Sequence, residues 1–208
     1  MYNPRKNIFG DDTVAVKFAK SVRVVTIPPI LVLALLTILI GNFDEFYTGV
    51  LDYALAVVFL MLIPTLAYPA QMLHPVWRTQ GRACQRKLAF IFSVIGYSVG
   101  LSLAIINRAQ PKLLTIYIGY FCSVLLLTVF NKGLKIHASG HAAGVTGPLL
   151  YFAVFSNAWL VPVAALLYVA IIWSSVKMKR HTVTEFILGT LCSVLAFIIS
   201  MLFLAFIL

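Results

Sequence analysis

Long runs of apolar residues dominate the pattern along the chain, and short polar or glycine- and proline-containing connections separate them. The runs lie at about 24–41, 52–73, 88–106, 113–130, 143–158, 159–176 and 183–207. A membrane-spanning helix needs roughly 20 predominantly apolar residues, whereas a barrel strand alternates apolar and polar positions, which these runs do not do. The pattern therefore predicts an all-α fold, a polytopic bundle of about seven transmembrane helices.

The fifth and sixth predicted helices share one continuous apolar stretch. Because that stretch is longer than one bilayer crossing, we divide it at Ser156-Asn157-Ala158. Pro162 then falls in the first turn of the sixth helix, where the missing N–H of a proline interrupts no helical hydrogen bond.

The composition agrees with a membrane protein and leaves no room for a large domain outside the bilayer. Hydrophobic residues make up 62% of the 208 positions and charged residues 11%, against about 25% charged residues in soluble domains. We expect a single transmembrane domain at 24–208, preceded by a basic cytoplasmic segment at 1–23. Within that segment, the basic amphipathic stretch 13–23 is suited to lying on anionic lipid.

The net charge of +10 is distributed in a way that predicts membrane orientation and not a nucleic-acid partner. Fourteen of the sixteen Lys and Arg residues fall on one side of the predicted topology, in the N-terminal segment and in the second, fourth and sixth connections. By the positive-inside rule, that side faces the cytoplasm. We therefore expect an integral cell-membrane protein with its N-terminus inside and its C-terminus outside.

The histidines, unlike the cysteines, are grouped. All four map to the predicted cytoplasmic side: His74, His137, His141 and His181. The three cysteines have no spacing typical of a disulfide framework or a metal site. Because ionisable groups are rare in membrane helices and those present usually have a function, chemistry is expected on the cytoplasmic side.

Two lysines, a hydroxyl and several glycines precede the fifth predicted helix within 131–147. Lys132 and Lys135 supply positive charge, and Ser139 and Gly140 lie where the helix begins. Free N–H groups at a helix N-terminus favour an anion, and glycine permits its close approach. The segment predicts a phosphate or carboxylate pocket, although an ordinary capped, glycine-rich turn would have the same residues.

A second polar segment, 174–189, returns to the same side. His181 and Glu185 are four residues apart, so one helical turn would place them together. A carboxylate that accepts from one imidazole nitrogen leaves the other nitrogen available as nucleophile or base. A purely structural His–Glu pair is the alternative, since a carboxylate inside an apolar run needs a partner.

These two segments resemble the type-2 phosphatidic acid phosphatase superfamily of integral membrane lipid phosphatases. The resemblance rests on Ser139-Gly140-His141 at a helix start and on His181-x3-Glu185-x3-Gly189 two helices later. The family has Pro-Ser-Gly-His and Ser-Arg-x5-His-x3-Asp motifs at the matching helix ends. The resemblance covers roughly residues 113–207 and implies a six-helix core with one extra N-terminal helix.

The resemblance also implies a role for each matching residue. His181 would be the nucleophile that forms a phosphohistidine, Glu185 would orient it, and His141 would protonate the leaving group. Ser139 and the Gly140 amide would hold the phosphate. The family needs no metal, so no cofactor is expected.

Several positions depart from the family pattern. Ala138 replaces the motif proline, Ser175 occupies the slot of the motif arginine, and Glu185 is one methylene longer than the usual Asp. The Lys-x6-Arg-Pro motif is absent from the sequence. Other cations must then neutralise the phosphoryl charge.

The candidate cations are those nearest the two segments. The first choices for phosphate binding are Lys132, Lys135 and Arg180, and the second choices are Arg78, Arg82 and Arg86. Each of these residues would equally serve as a positive-inside anchor.

We therefore expect a metal-independent lipid phosphatase whose site opens to the cytoplasmic leaflet. Its partners would be membrane lipid and a lipid phosphate or diphosphate substrate, with an isoprenyl diphosphate favoured and phosphatidate as the other candidate. The rival hypothesis is a non-catalytic or transport bundle whose inner-face histidines bind a metal, a haem or an anionic lipid. His137 and His141 would suit a metal if the turn between them is helical.

Overall fold

The computed structural model describes residues 14–178 and 182–207, apart from the side chains of Val14 and Arg82. The regular elements in these ranges are helical, which confirms the predicted all-α bundle. The main helices are α1 (Val14–Val25), α2 (Pro28–Phe46), α3 (Val50–Leu73), α4 (Gly81–Ile106), α5 (Pro111–Gly133), α6 (Gly140–Phe155), α7 (Val161–Lys177) and α8 (Val183–Ile207). A short helix, Pro75–Thr79, connects α3 to α4.

Six stretches among the described residues are long and apolar enough to cross a membrane. They correspond to α2, α3, α4, α5, α7 and α8. The remaining predicted span is α6, which has 16 residues and is therefore about 24 Å long. The chain is thus a polytopic membrane protein, and α6 is shorter than each of the six spanning stretches.

The predicted division between α6 and α7 is confirmed. Helix α6 ends at Phe155, and a short 3₁₀ turn at Ala158–Leu160 leads into α7. The Asn157 side chain accepts a hydrogen bond from the Trp159 N–H at 3.3 Å, which stabilises this turn. Pro162 lies in the first turn of α7, as its missing N–H predicts.

Residues 14–23 of the basic stretch lie in α1, which packs against α7. Ala19 is fully buried, and its carbonyl accepts a hydrogen bond from the Ser174 hydroxyl at 2.7 Å. The rings of Phe18 and Trp173 are 6.0 Å apart. One side of α1 therefore packs against the protein. The sequence analysis had predicted only a segment that lies on the lipid surface.

The first transmembrane helix begins later than predicted. Helix α1 ends at Val25, and Pro28 and Pro29 occupy the first turn of α2. A proline there starts a helix readily but cannot continue one from the preceding turn. The span therefore begins at Pro28 and not at residue 24.

The largest buried cluster lies at the end of the bundle where α2 connects to α3. Tyr47, in this connection, belongs to the cluster. Tyr47 donates a hydrogen bond to the Leu36 carbonyl at 2.7 Å. The cluster also includes Leu35, Ile116 and Tyr117. Helix α8 packs against both α5 and α6, and this three-helix contact positions the polar segments at the other end.

Candidate functional site

The two predicted polar segments meet at the starts of α6 and α8. The Ser139 N–H donates a hydrogen bond to the Glu185 carbonyl at 2.9 Å. One turn further along α8, a Cβ at Gly189 would lie only 2.2 Å from the Ser139 carbonyl oxygen. Glycine is therefore what allows α8 to pass this close to the start of α6.

The loop before α6 is held by a side chain that the sequence analysis did not single out. The Asn131 side-chain amide donates to the carbonyls of Leu127 and Ala138, at 2.9 and 3.2 Å, and its oxygen accepts from the Ala138 N–H at 3.0 Å. These bonds join the loop to the end of α5. Ala138, in the position of the motif proline, is buried.

The start of α6 has a side-chain cap on one N–H group and empty space beside its first residue. The Ser139 hydroxyl oxygen accepts a hydrogen bond from the Ala142 N–H at 3.2 Å, which is the usual N-cap contact. A Cβ at Gly140 would meet no atom within 4 Å, so the adjacent space is empty. The capped-turn interpretation is confirmed, and the space beside Gly140 is open.

Glu185 has a local role that the predicted pairing with His181 did not include. Its Oε2 accepts from the Thr182 N–H at 3.3 Å, and the Thr182 hydroxyl oxygen accepts from the Glu185 N–H at 3.1 Å. This reciprocal pair is a capping box, and its sequence signature, Thr182-x-x-Glu185, is present in the chain. The carboxylate therefore stabilises the start of α8.

The capping box changes the predicted relation between His181 and Glu185. Helix α8 begins at Val183, and Thr182 is not helical, so the predicted pairing of His181 with Glu185 stays a prediction. His181 and Arg180 lie outside the described residues, and the contact between His181 and His141 stays a prediction.

A cavity of about 800 Å³ opens beside the two helix starts. Ser139, Gly140 and Glu185 line it. We call its polar end the basic mouth, defined by Arg23, Arg86, Lys87, Lys132, His137 and His141. The charge count assigned the four Lys and Arg residues to one side, and the grouping of the histidines placed His137 and His141 on the same side. All six line the same cavity, where positive charge favours an anion.

The two lysines predicted to bind phosphate differ in their position relative to the cavity. Lys132 lines the cavity, with its Nζ 5.0 Å from the centre of the Phe90 ring. Lys135 does not line it: its side chain is exposed, and its φ of 58° places it in a left-handed turn. The predicted contact of Lys135 with a phosphate stays a prediction.

Arg23 is the main cation that the sequence analysis missed at this site. It was counted only toward membrane orientation, but α1 brings it into the cavity wall. Of the described cations in the basic mouth, Arg86, Lys87 and Lys132 are exposed, whereas Arg23 is half-buried. A partly buried guanidinium interacts more strongly with phosphate than an exposed ammonium does.

The position of the motif arginine is buried in helix packing. Ser175 is fully buried, does not line the cavity, and its hydroxyl has no hydrogen-bond partner among the described residues. An arginine at this position would have to enter the contact region of α7. Among the second-choice cations, Arg86 reaches the cavity and Arg78 does not, while the Arg82 side chain is outside the described set.

The histidines of the rival metal hypothesis are not arranged as it requires. Residues 134–139 are not helical, so His137 and His141 do not share a helical turn. Within 14–178 and 182–207, no group of three or more His, Cys, Asp or Glu side chains could hold a metal ion. His74 stacks on Trp77 with ring centres 4.2 Å apart and does not line the cavity.

Beyond the basic mouth, the cavity continues into the bundle as an arm with largely apolar walls. Val32, Leu60 and Phe90 lie along it. It ends at four aromatic rings, which we call the floor: Tyr97, Tyr120, Tyr151 and Phe197. From Glu185 to Phe197 the arm follows α8 for about 18 Å, more than half of the roughly 30 Å hydrocarbon thickness.

Comparison with known proteins identifies no relative. No protein-family model matches the chain, and searches of curated proteins and of solved structures gave no match. The fold and the geometry of the cavity therefore carry the functional conclusions.

Proposed function

We propose that this protein is a metal-independent membrane lipid phosphatase that acts at the cytoplasmic leaflet. The observation that carries the proposal is the cavity, which joins a basic mouth to an apolar arm inside the bundle. A lipid phosphate has the same division, an anionic group on a hydrocarbon tail. An isoprenyl diphosphate remains the favoured substrate class and phosphatidate the second.

In the proposed reaction, His181 attacks phosphorus and forms a P–N bond while the bond to the leaving oxygen breaks. His141 donates a proton to that oxygen, and water then hydrolyses the phosphohistidine to release phosphate. His141 is half-buried at the cavity wall, next to the open space at Gly140. The role of His181 rests on the family resemblance.

The cavity cations would neutralise the charge that develops on the transferring phosphoryl group. Arg23 and Lys132 are the candidates from α1 and α5. The N–H groups at the start of α6 add the positive end of a helix dipole. Together these groups would substitute for the arginines that the family motifs supply.

A non-catalytic lipid-binding role is the second candidate, and two contacts favour it. The Ser139 cap and the Thr182–Glu185 capping box each explain a motif residue without any chemistry. In that case the cavity would hold an anionic lipid and release no phosphate.

The test is phosphate release from a panel of lipid phosphates and diphosphates by purified protein, with a chelator present. We expect turnover in wild type and an acid-labile phosphoenzyme that is lost in His181→Ala. Binding of a non-hydrolysable lipid phosphonate is measured in parallel. Phosphonate binding without phosphate release from any substrate would refute the phosphatase and support the second candidate.

A further inference from the structure

The floor of the cavity carries an inference about the length of the ligand's tail. The floor residues Tyr120 and Tyr151 belong to the largest buried cluster of the bundle, and Tyr97 and Phe197 pack against that cluster. Beyond the floor, the space between the helices is filled by side chains such as Ile116 and Tyr117. A tail that enters from the basic mouth therefore meets a packed core and not a continuing channel.

The floor is held rigidly. The Tyr151 hydroxyl lies 3.2 Å from the Thr115 carbonyl, to which it donates, and 2.7 Å from the Ser200 hydroxyl. The Tyr151 ring meets Phe197 edge-on at 5.1 Å between ring centres, and Tyr97 meets Tyr120 in the same way at 5.3 Å. Side chains fixed by several contacts cannot move aside without loss of packing.

A glycine makes room for this arrangement. A Cβ at Gly119 would lie 1.7 Å from the Tyr151 hydroxyl oxygen, so only glycine leaves space for that hydroxyl. The tyrosine is thus built into the end of the arm at a fixed depth. The depth, about 18 Å from Glu185 along α8, corresponds to a chain of roughly 12 to 15 bonds at about 1.2 Å per bond.

We propose that the floor limits tail length, so that the cavity accepts single-chain lipid phosphates of up to about 12 to 15 carbons along the main chain. Isoprenyl phosphates of about three isoprene units fit this limit, whereas two-tailed phosphatidates and long polyprenyl carriers exceed it. This inference rests on the proposed lipid-phosphate ligand. It concerns binding and does not require hydrolysis.

The probes are n-alkyl phosphonates with chains of about 6 to 20 carbons, which have no hydrolysable P–O–C bond. They are presented to the full chain in mixed micelles at a fixed surface concentration. Because the tail leaves one apolar environment for another, affinity should change little with length until the floor is reached. Beyond about 15 carbons, overpacking against the floor should weaken binding by roughly 10-fold or more.

Two variants should shift this limit in opposite directions. Phe197→Ala removes a floor ring and should extend the limit by about three or four carbons. Ser123→Leu adds a side chain to the wall roughly 14 Å from Lys132 along α5, before the floor, and should shorten the limit by a similar number. Opposite shifts cannot come from a general loss of stability.

The matched control is Phe206→Ala, the same substitution on the same helix at a side chain that is 90% exposed. It should leave the length limit unchanged. If Phe197→Ala does not fold, Phe197→Leu tests the same ring with a smaller loss of volume.

Affinity that is independent of tail length would overturn the inference, because the tail would then leave the cavity sideways between helices. A limit that moves in neither variant would overturn it as well, and so would the absence of any phosphonate binding. Phosphonate binding with the expected limit, but without phosphate release from lipid phosphates, would leave this inference intact and refute only the phosphatase proposal.

Discussion

Helices α6 and α8 begin side by side at the cavity, but their first turns differ in how their backbone N–H groups are capped and in whether open space lies beside them. At α8, Thr182 and Glu185 cap each other, and the carboxylate supplies a negative charge from within the chain. At α6, Ser139 satisfies one N–H and Gly140 borders open space. Two adjacent helix starts can thus differ, one closed by a capping box and one bordering open space, and the first of them carries an acidic side chain.

The largest expected effect comes from His141, in the open first turn of α6. If His141 protonates the leaving group, His141→Ala should lower turnover by about 10²- to 10⁴-fold. Phosphonate affinity should fall much less, since the cations and the helix start remain. The measurement is phosphate release beside phosphonate binding, and equal losses in both would contradict an acid role.

Glu185→Gln tests whether the α8 start serves only as an anchor. A glutamine also completes a capping box, so the melting temperature should stay within a few degrees of wild type. If the carboxylate additionally orients His181, turnover should fall by roughly 10²-fold. Full activity in the Gln variant would leave Glu185 with its capping role alone.

Gly189→Ala tests the contact that holds the two starts together. The new Cβ would lie 2.2 Å from the Ser139 carbonyl oxygen, so the free energy of unfolding should fall by about 1–3 kcal/mol. Gly140→Ala is the matched control, because its Cβ meets no atom within 4 Å. Similar stability of both variants in thermal or denaturant unfolding would argue against close packing of α8 on α6.

The smallest expected effects come from removing the side-chain caps of α6 and α8 one at a time. Ser139→Ala and Thr182→Ala should each cost about 1 kcal/mol of stability through loss of a capping hydrogen bond. Only Ser139→Ala should also weaken phosphonate binding, by a few-fold, because Thr182 does not line the cavity. Equal phosphonate affinity in the two variants would contradict an anion site at the start of α6.

Hydropathy alone predicts the helices and the division at Ser156 and Asn157, because burial in a bilayer requires continuous apolar runs. The meeting of the two polar segments also follows from their placement on one side. Arg23 could not be placed, since its position depends on how α1 packs against α7. The left-handed backbone of Lys135 could not be predicted, because a lysine gives no sequence signal for that conformation.

The capping box is a different case, because its signal was present in the sequence. Thr182-x-x-Glu185 has the spacing of a helix start, but the same glutamate also fits a four-residue spacing from His181. Two local patterns share one residue. The observed start of α8 at Val183 shows the capping box, and the pairing of Glu185 with His181 stays a prediction.

The short length of α6 has a consequence for the surrounding lipid. At about 24 Å, this helix falls roughly 6 Å short of the hydrocarbon thickness. Its far end lies near Trp159, an 84% exposed indole of the kind that sits at headgroup depth. With Trp159 at headgroup depth, the start of α6 would lie below the opposite headgroup plane, and the bilayer would have to thin or admit water there. A lipid could present its phosphate at that depth without being lifted out of its leaflet, and membrane thickness would then set how easily substrate and site meet.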